Sequence, residues 1–290
     1  MTHSALASVG ATLELLKRHG LYTRKSLGQH FLIDDNVVGK ILDLGAISPD
    51  DVVLEVGPGI GTLTVALCSR AASVVCVEAD LSLLPVLAQT TADCACAVRV
   101  VAGDAVSVAL SELETAEGAP SCMVANLPYA VAATVVLRFF EQMESMRFSC
   151  VMVQSEVADR MTASPGTKAY GSYTVKLRLL AQPAGRFKVA AGSFLPPPRV
   201  ESAVVRLERR PGVSAADPAI RSAMAAADAS FRERRKTLRN SLTSALGAPS
   251  SEVEDALRAA GIDATLRAET LEPEAFVVLG QALREAGLLR

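Results

Sequence analysis

Four consecutive residues, Asn126, Leu127, Pro128 and Tyr129, have the make-up of a site that works on a weakly nucleophilic amine. The lone pair of adenine's exocyclic amine is delocalised into the ring, so a site that methylates it must accept hydrogen bonds from that amine. Its nitrogen then pyramidalises and aims its lone pair at the methyl group. Asn126 offers a side-chain carbonyl and Leu127 a backbone carbonyl. Pro128 keeps Leu127 extended and brings no N–H of its own, which fixes where that carbonyl points. Tyr129 supplies a ring on which an extruded base can stack. Alone, the tetrad reads equally as a proline turn with a packed tyrosine. Its weight comes from a second motif upstream.

That motif is the run Val52–Thr64, VVLEVGPGIGTLT, an apolar strand that breaks into glycines and continues as a helix. Gly57, Gly59 and Gly61 alternate, a spacing that lets the backbone pass close to a ligand where a side chain would collide. A dinucleotide fingerprint wants its third glycine at the position of Thr62. Here it falls one residue earlier, at Gly61, which disfavours NAD and favours S-adenosylmethionine. The sulfonium of that cofactor also suits an acidic lead residue such as Glu55. It carries its own leaving group, so neither a metal nor a strong general base is required, and rate would come from alignment and fixed dipoles. The plainer alternative is a glycine-rich strand-to-helix turn without a ligand.

These groups need elements to position them. Short apolar strands alternate with helical segments after the glycine run, the pattern of a parallel sheet covered on both faces. The strand Ser73–Val77 ends in Glu78, Leu81–Gln89 is helical, Ala97–Val101 leads to Gly103 and Asp104, and Ser121–Ala125 ends at Asn126. Ligands of open parallel sheets bind at the carboxyl ends of the strands, so Glu55, Glu78, Asp104 and Asn126 should converge on one crevice. Glu78 has the separation from Gly57 at which a carboxylate accepts from ribose hydroxyls. Asp104 is suited either to the amino group of the cofactor's adenine or to a simple turn or cap. Upstream, the first twenty or so residues read as an amphipathic helix with Leu13 and Leu16 on one side. Asp34 and Asp35 are placed to cap a helix over Asn36–Leu44.

From about Pro211 the pattern changes to helices alone, rich in alanine. Two domains follow as the expectation, residues 1–210 and 211–290. A segment read as helical, Phe231–Leu246, gathers Arg232, Arg234, Arg235, Lys236 and Arg239 within about two turns. Arginines suit phosphate oxygens, although a charge run is often only a solvated face. Lys and Arg number 13 against 18 Asp and Glu over residues 1–181, and 16 against 13 over residues 182–290. An acidic half joined to a mildly basic tail is compatible with a nucleic-acid partner held by local patches. Cys68, Cys76, Cys94, Cys96, Cys122 and Cys150 form no paired metal motif and read as reduced core residues of a cytosolic protein. No secretory signal is apparent. Gly118–Leu137 is uncharged and of membrane-spanning length, but Pro120, Asn126 and Pro128 interrupt it, which fits a strand, turn and helix better than a span.

From about Arg24 to about Phe276 the chain resembles the ribosomal RNA adenine dimethyltransferases, and within them the bacterial small-subunit branch associated with kasugamycin sensitivity. The resemblance rests on GQHFL (Gly28–Leu32), EVGPGIGTLT (Glu55–Thr64), NLPY (Asn126–Tyr129), KAYGSYTV (Lys168–Val175), FLPPPRVESAVVRL (Phe194–Leu207) and FRERRKTLRNSL (Phe231–Leu242). It implies a Rossmann-like class I S-adenosylmethionine methyltransferase domain, α/β in class, with a small all-helical C-terminal domain. It also implies cofactor contacts at His30, Leu32, Gly57, Glu78, Asp104 and Asn126, joined by Gly59 and Gly61 of the loop. Relatives often carry Asn at the position of His30. Phe194 would be a second aromatic wall, holding the adenine against Tyr129.

The same resemblance implies RNA contacts through the helical tail and through Arg24 and Lys25. The substrate it implies is a pair of adjacent adenosines in the 3′-terminal hairpin of 16S rRNA within the small subunit, each dimethylated at N6. The expected enzyme is a cytoplasmic monomer with a role in subunit biogenesis, without metal or membrane association. Alternatives are the 23S rRNA methyltransferase of macrolide resistance, a non-catalytic assembly factor that keeps the fold, and, third, a dehydrogenase.

Overall fold

The structure, a computed structural model, describes residues 2–22, 29–233 and 235–289. The chain divides into two compact units. The first comprises residues 1–139, 143–158 and 183–208. It opens with helix α1 (Val9–Arg18), strand β1 (Phe31–Leu32) and helix α2 (Asp35–Gly45). Then come β2 (Val52–Val56), α3 (Thr62–Leu67), β3 (Ser73–Glu78), α4 (Leu84–Thr90) and β4 (Ala97–Ala102). After them follow β5 (Cys122–Asn126), α5 (Ala132–Gln142), β6 (Phe148–Gln154), β7 (Ala181–Val189), β8 (Phe194–Leu195) and β9 (Ser202–Arg209).

Among the described residues seven strands form one sheet, in the order β4-β3-β2-β5-β6-β9-β7. The pairs from β4 to β6 are parallel and β9 runs antiparallel to β6. Because β2 and β3 are buried throughout, and β5 and β6 in all but their last residue, they are mostly apolar runs without alternation, as a sheet covered on both faces requires. The strands expected from sequence between Val52 and Asn126 all form. The chain order reverses beside β2, with β3 on one side and β5 on the other, and this switch point opens a crevice at the carboxyl edge.

Smaller devices fix the rim of the crevice. Asp34 caps α2 by accepting the Asn36 N–H, whereas the Asp35 carboxylate holds the backbone N–H groups of His3 and Ser4. Helix α1 buries Thr12, Leu15 and Leu16 and leaves Leu13 half exposed, so the inward face is one residue off the expected pairing. Leu15 and Leu16 pack with Phe31, Ile60, Leu83 and Val86, next to the glycine loop. The two-residue strands β1 and β8 pair antiparallel as a separate ladder, Phe31 opposite Leu195 and Leu32 opposite Phe194.

The second unit comprises residues 140–142, 159–182 and 209–290. It holds the end of α6 (Ser155–Thr162), α7 (Ser172–Leu180), α8 (Pro218–Ser230), α9 (Leu238–Leu246), α10 (Ser250–Ala259) and α11 (Pro273–Glu285). A cut at residue 210 therefore misses part of this unit. Helix α7 packs on α8 and α11, and the buried Tyr170 donates its hydroxyl to the Leu271 carbonyl at 2.7 Å. Phe231 lies between the Tyr170 and Phe276 rings, 6.0 Å from each. The residues before α7 belong with the tail because Tyr170 packs into the tail's aromatic cluster.

Candidate active site

A cavity of about 750 Å³ lies at the carboxyl edge of the sheet, within the usual size of a ligand pocket. Its wall includes Glu55, Gly57, Gly59, Glu78, Asp104, Asn126, Leu127, Pro128 and Tyr129 together with His30 and Leu32. The convergence expected from the strand ends is therefore present. Gly61 lies just outside that wall. It caps α3 at φ +87°, and its N–H bonds the Pro58 carbonyl at 2.9 Å.

The glycine loop is tied down from beneath. Gly57 donates its N–H to the Val77 carbonyl at 2.9 Å, and Gly59 donates to Glu78 Oε2 at 3.2 Å. The other Glu78 oxygen accepts the Asp80 N–H at 2.8 Å. Burial raises the Glu78 carboxyl above its ordinary range, and these two backbone donors oppose that rise. Each oxygen keeps a lone pair for a further donor. Asp104 sits exposed at the rim, where Oδ1 accepts the Val106 N–H at 2.9 Å and closes a turn.

Glu55 differs from its expected form. It is 1 % exposed, Thr64 Oγ1 donates to its Oε2 at 2.6 Å, and burial pushes its carboxyl up to about 8. At neutral pH it holds its proton and presents no standing negative charge. A cation brought beside it favours the ionised form.

Across the crevice, Asn126 donates Nδ2–H to the His30 carbonyl at 3.3 Å. That acceptor takes the amide nitrogen and leaves the side-chain carbonyl oxygen for a ligand's donor. Leu127 donates its N–H to the Met152 carbonyl at 3.0 Å, which prolongs the ladder past β5. The Tyr129 hydroxyl pairs with Ser202 Oγ at 2.7 Å. Burial raises its pKa further, so it stays a neutral phenol. The His30 ring stacks on Tyr129 at 5.6 Å and 30°. Its Nδ1 lies 2.7 Å from the Pro196 carbonyl, which only accepts, so the proton sits on Nδ1 and Nε2 is bare in the neutral ring.

The residues fit S-adenosylmethionine. The loop presents backbone where a Cβ at Gly57 would fill space against Pro128. Thr62 lines the cavity, is 4 % exposed, and its hydroxyl has no hydrogen-bond partner among the described residues. A buried polar group of this kind calls for a ligand partner.

Residues 20–283 match the family model described as ribosomal RNA adenine dimethylase. The chain belongs to the ribosomal RNA adenine dimethylase family. It is 41 % identical to the ribosomal RNA small subunit methyltransferase A of Geobacillus thermodenitrificans, over 97 % of this chain and 98 % of that one. It is 42 % identical to the protein of the same name from Rhodococcus opacus, over 95 % of this chain and 94 % of that one. Among solved structures, a dimethyladenosine transferase from Plasmodium falciparum shares the fold. Its TM-score is 0.75 at 22 % identity, covering 89 % of this chain and 98 % of that one. The 23S rRNA methyltransferase ErmE aligns with TM-score 0.66 at 26 % identity, covering 88 % and 99 %.

Two of the features that the dimethylase resemblance singles out are arranged differently from expectation. Phe194 is 2 % exposed, belongs to the hydrophobic core and does not line the cavity. It pairs with Leu32 across the short ladder, and the ring facing Tyr129 is that of His30. The basic segment is also not one helix. Helix α8 ends at Ser230 and α9 begins at Leu238, because Ser241 Oγ bonds the Ser230 carbonyl and Thr237 caps the new helix. Arg232, Arg235 and Lys236 therefore stand exposed on a turn, with Arg239 exposed in α9. Lys236 pairs with Glu233 at 2.7 Å and Arg239 with Glu254 at 3.0 Å. Arg24, Lys25 and Arg234 lie outside the described residues.

Two further wall residues and the partner of Tyr129 carry no signal in the sequence. Thr62 is an ordinary helix-start residue by composition, Gln154 ends an unremarkable apolar strand, and Ser202 lies 73 residues from the tyrosine it anchors. The FLPPP segment stands out, but its role is to hold β1 and the His30 ring in place.

Proposed function

We propose that this chain transfers methyl groups from S-adenosylmethionine to the N6 amines of two adjacent adenosines in the 3′-terminal hairpin of 16S rRNA, dimethylating each within the small ribosomal subunit. The observation that carries the reading is the Asn126–Tyr129 turn, with Asn126 fixed by His30 and Pro128 resting beside the glycine loop. Bound there, the cofactor supplies an electrophilic methyl on sulfur. His30, Leu32, Gly57, Gly59, Thr62, Glu78 and Asp104 would hold it. Asn126 Oδ1 and the Leu127 carbonyl accept from the amine and aim its lone pair, while Tyr129 holds one face of the base.

Support for the small-subunit substrate comes from the names of relatives at 41 % and 42 % identity, against 26 % for ErmE. The exposed cations of the helical unit support RNA binding there. We read the enzyme as a cytoplasmic monomer that needs no metal and acts during subunit biogenesis.

The test is methyl transfer from labelled S-adenosylmethionine to unmodified small subunits, large subunits and naked RNA, with the modified nucleoside identified. Dimethyladenosine confined to small-subunit RNA is expected. Label in large-subunit RNA moves the substrate to the other subunit, and cofactor binding without label leaves a non-catalytic assembly factor.

A further inference from the structure

The strand order arranges the polar groups of the crevice in a row. Asp104 follows β4, Glu78 ends β3, Glu55 lies in β2, Asn126 ends β5 and Gln154 ends β6. The cofactor groups fill the row as far as β2, and the amine-holding turn follows β5. Whatever lies at β6 therefore faces the substrate side. Gln154 lines the cavity and is half-buried.

Its neighbours define that corner further. Gln154 pairs with Ser202 across the antiparallel β6–β9 ladder, so the two side chains stand on the same face of the sheet. Ser202 is the residue whose hydroxyl meets the Tyr129 hydroxyl at 2.7 Å. Gln154 thus stands beside the anchor of the stacking ring.

A planar base needs a contact of this kind. Asn126 and the Leu127 carbonyl hold a single atom, the amine nitrogen, and Tyr129 holds a face. A base held so can still swing in its own plane about that nitrogen, and swinging takes the lone pair off the methyl. A third contact on the ring edge removes this freedom. Ala130 and Val131, also in the wall, have no side-chain group for it.

Resting on the proposed reaction, we propose that Gln154 is a substrate-positioning residue whose carboxamide N–H donates to a ring nitrogen flanking the amine, N1 or N7, of the target adenine. No proton is transferred through it and no bond is made or broken there.

The experiment uses the full-length enzyme with small subunits whose target adenosines are unmodified, 1-deaza or 7-deaza. It compares wild type with Gln154→Ala and Gln154→Glu, recording kcat, KM for subunits and cofactor affinity. Wild type should lose about tenfold in kcat/KM with one of the two analogues, the worth of one hydrogen bond. Gln154→Ala should lose about as much on normal adenine, be insensitive to that same analogue, and bind cofactor as wild type does. Gln154→Glu, which replaces the donor by an acceptor, should be at least as impaired. Equal sensitivity of wild type and Gln154→Ala to both analogues, or a variant with wild-type kcat/KM, overturns the proposal. Failure of wild type to methylate normal adenine would instead overturn the reaction on which it rests.

Discussion

Replacing Gly57 by alanine tests how the cofactor loop and the amine-holding turn depend on each other. Gly57 has φ +70°, a left-handed conformation that costs an alanine about 1–2 kcal/mol. Its new Cβ would stand 3.1 Å from both Cδ and Cγ of Pro128. Carbon atoms in van der Waals contact prefer about 3.5–4.0 Å, so the loop or Pro128 must yield by roughly half an ångström. Pro128 is bonded to the Leu127 carbonyl, so the displacement reaches the acceptor proposed to aim the amine. A misplacement of about 1 Å can cost about a hundredfold in rate, and half of it on the order of tenfold.

Gly61→Ala provides the contrast. Its φ is +87° and its Cβ would meet Thr90 Oγ1 at 2.8 Å, a harder clash, but against α4. Both variants should lose about 2 kcal/mol or more in denaturant unfolding. At saturating cofactor, only Gly57→Ala should lose about tenfold in kcat on unmodified subunits. Equal loss of kcat in the two, or full kcat in a folded Gly57→Ala protein, would refute the coupling.

Asn126→Ala should leave cofactor affinity within a few-fold while abolishing turnover, because the missing acceptor is used mainly at the reacting amine; wild-type-like turnover would sink the mechanism. Glu55 in the folded protein keeps a proton that the unfolded chain releases above its ordinary 4.5, so stability should fall as pH rises from there through about 8. In Glu55→Gln that slope should flatten, leaving the smaller contribution of Glu78 in the same direction, and an unchanged slope in urea melts would show that Glu55 is ionised throughout. Neutralising Arg235 and Lys236 should weaken RNA binding and reduce the salt slope by about one unit for each phosphate that is no longer neutralised. An unchanged slope would return the turn to a merely solvated role.

Much of the site is legible in the sequence because its chemistry lies at strand ends. Apolar runs that stop at Glu78, near Asp104 and at Asn126 announce both the sheet and its working edge, and no long-range information is needed. What escapes is set by partners far away in the chain. Phe194 lies in the core and pairs with Leu32 in a two-residue ladder, and two residues give no periodicity to read. The cations around Arg235 follow a helical spacing, yet Ser241 and Thr237 end one helix and start another among them. Lys168–Val175 belongs with the tail because Tyr170 packs against Phe231, a pairing at which composition around Pro211 does not hint. The charge of Glu55 escapes for a related reason: its identity is local, but its burial depends on the whole sheet.

The clasp between β1 and β8 bears on when the pocket comes into being. His30 meets the Pro196 carbonyl across 166 positions of chain. At synthesis rates of about 5–20 residues per second, that interval is on the order of 10–30 s. Only over its last part, from Asn126 to Pro196 and about 4–14 s long, does an emerging chain contain the glycine loop, Glu78 and Asn126 while Phe31 and Leu32 have no partner strand and His30 no acceptor for its ring. The near wall of the half-made crevice then rests on the Asn126–His30 bond and the packing of Phe31, without the β8 ladder. The clasp is thus complete only once translation has passed Pro196, and a product truncated before that point would carry both signature motifs without it.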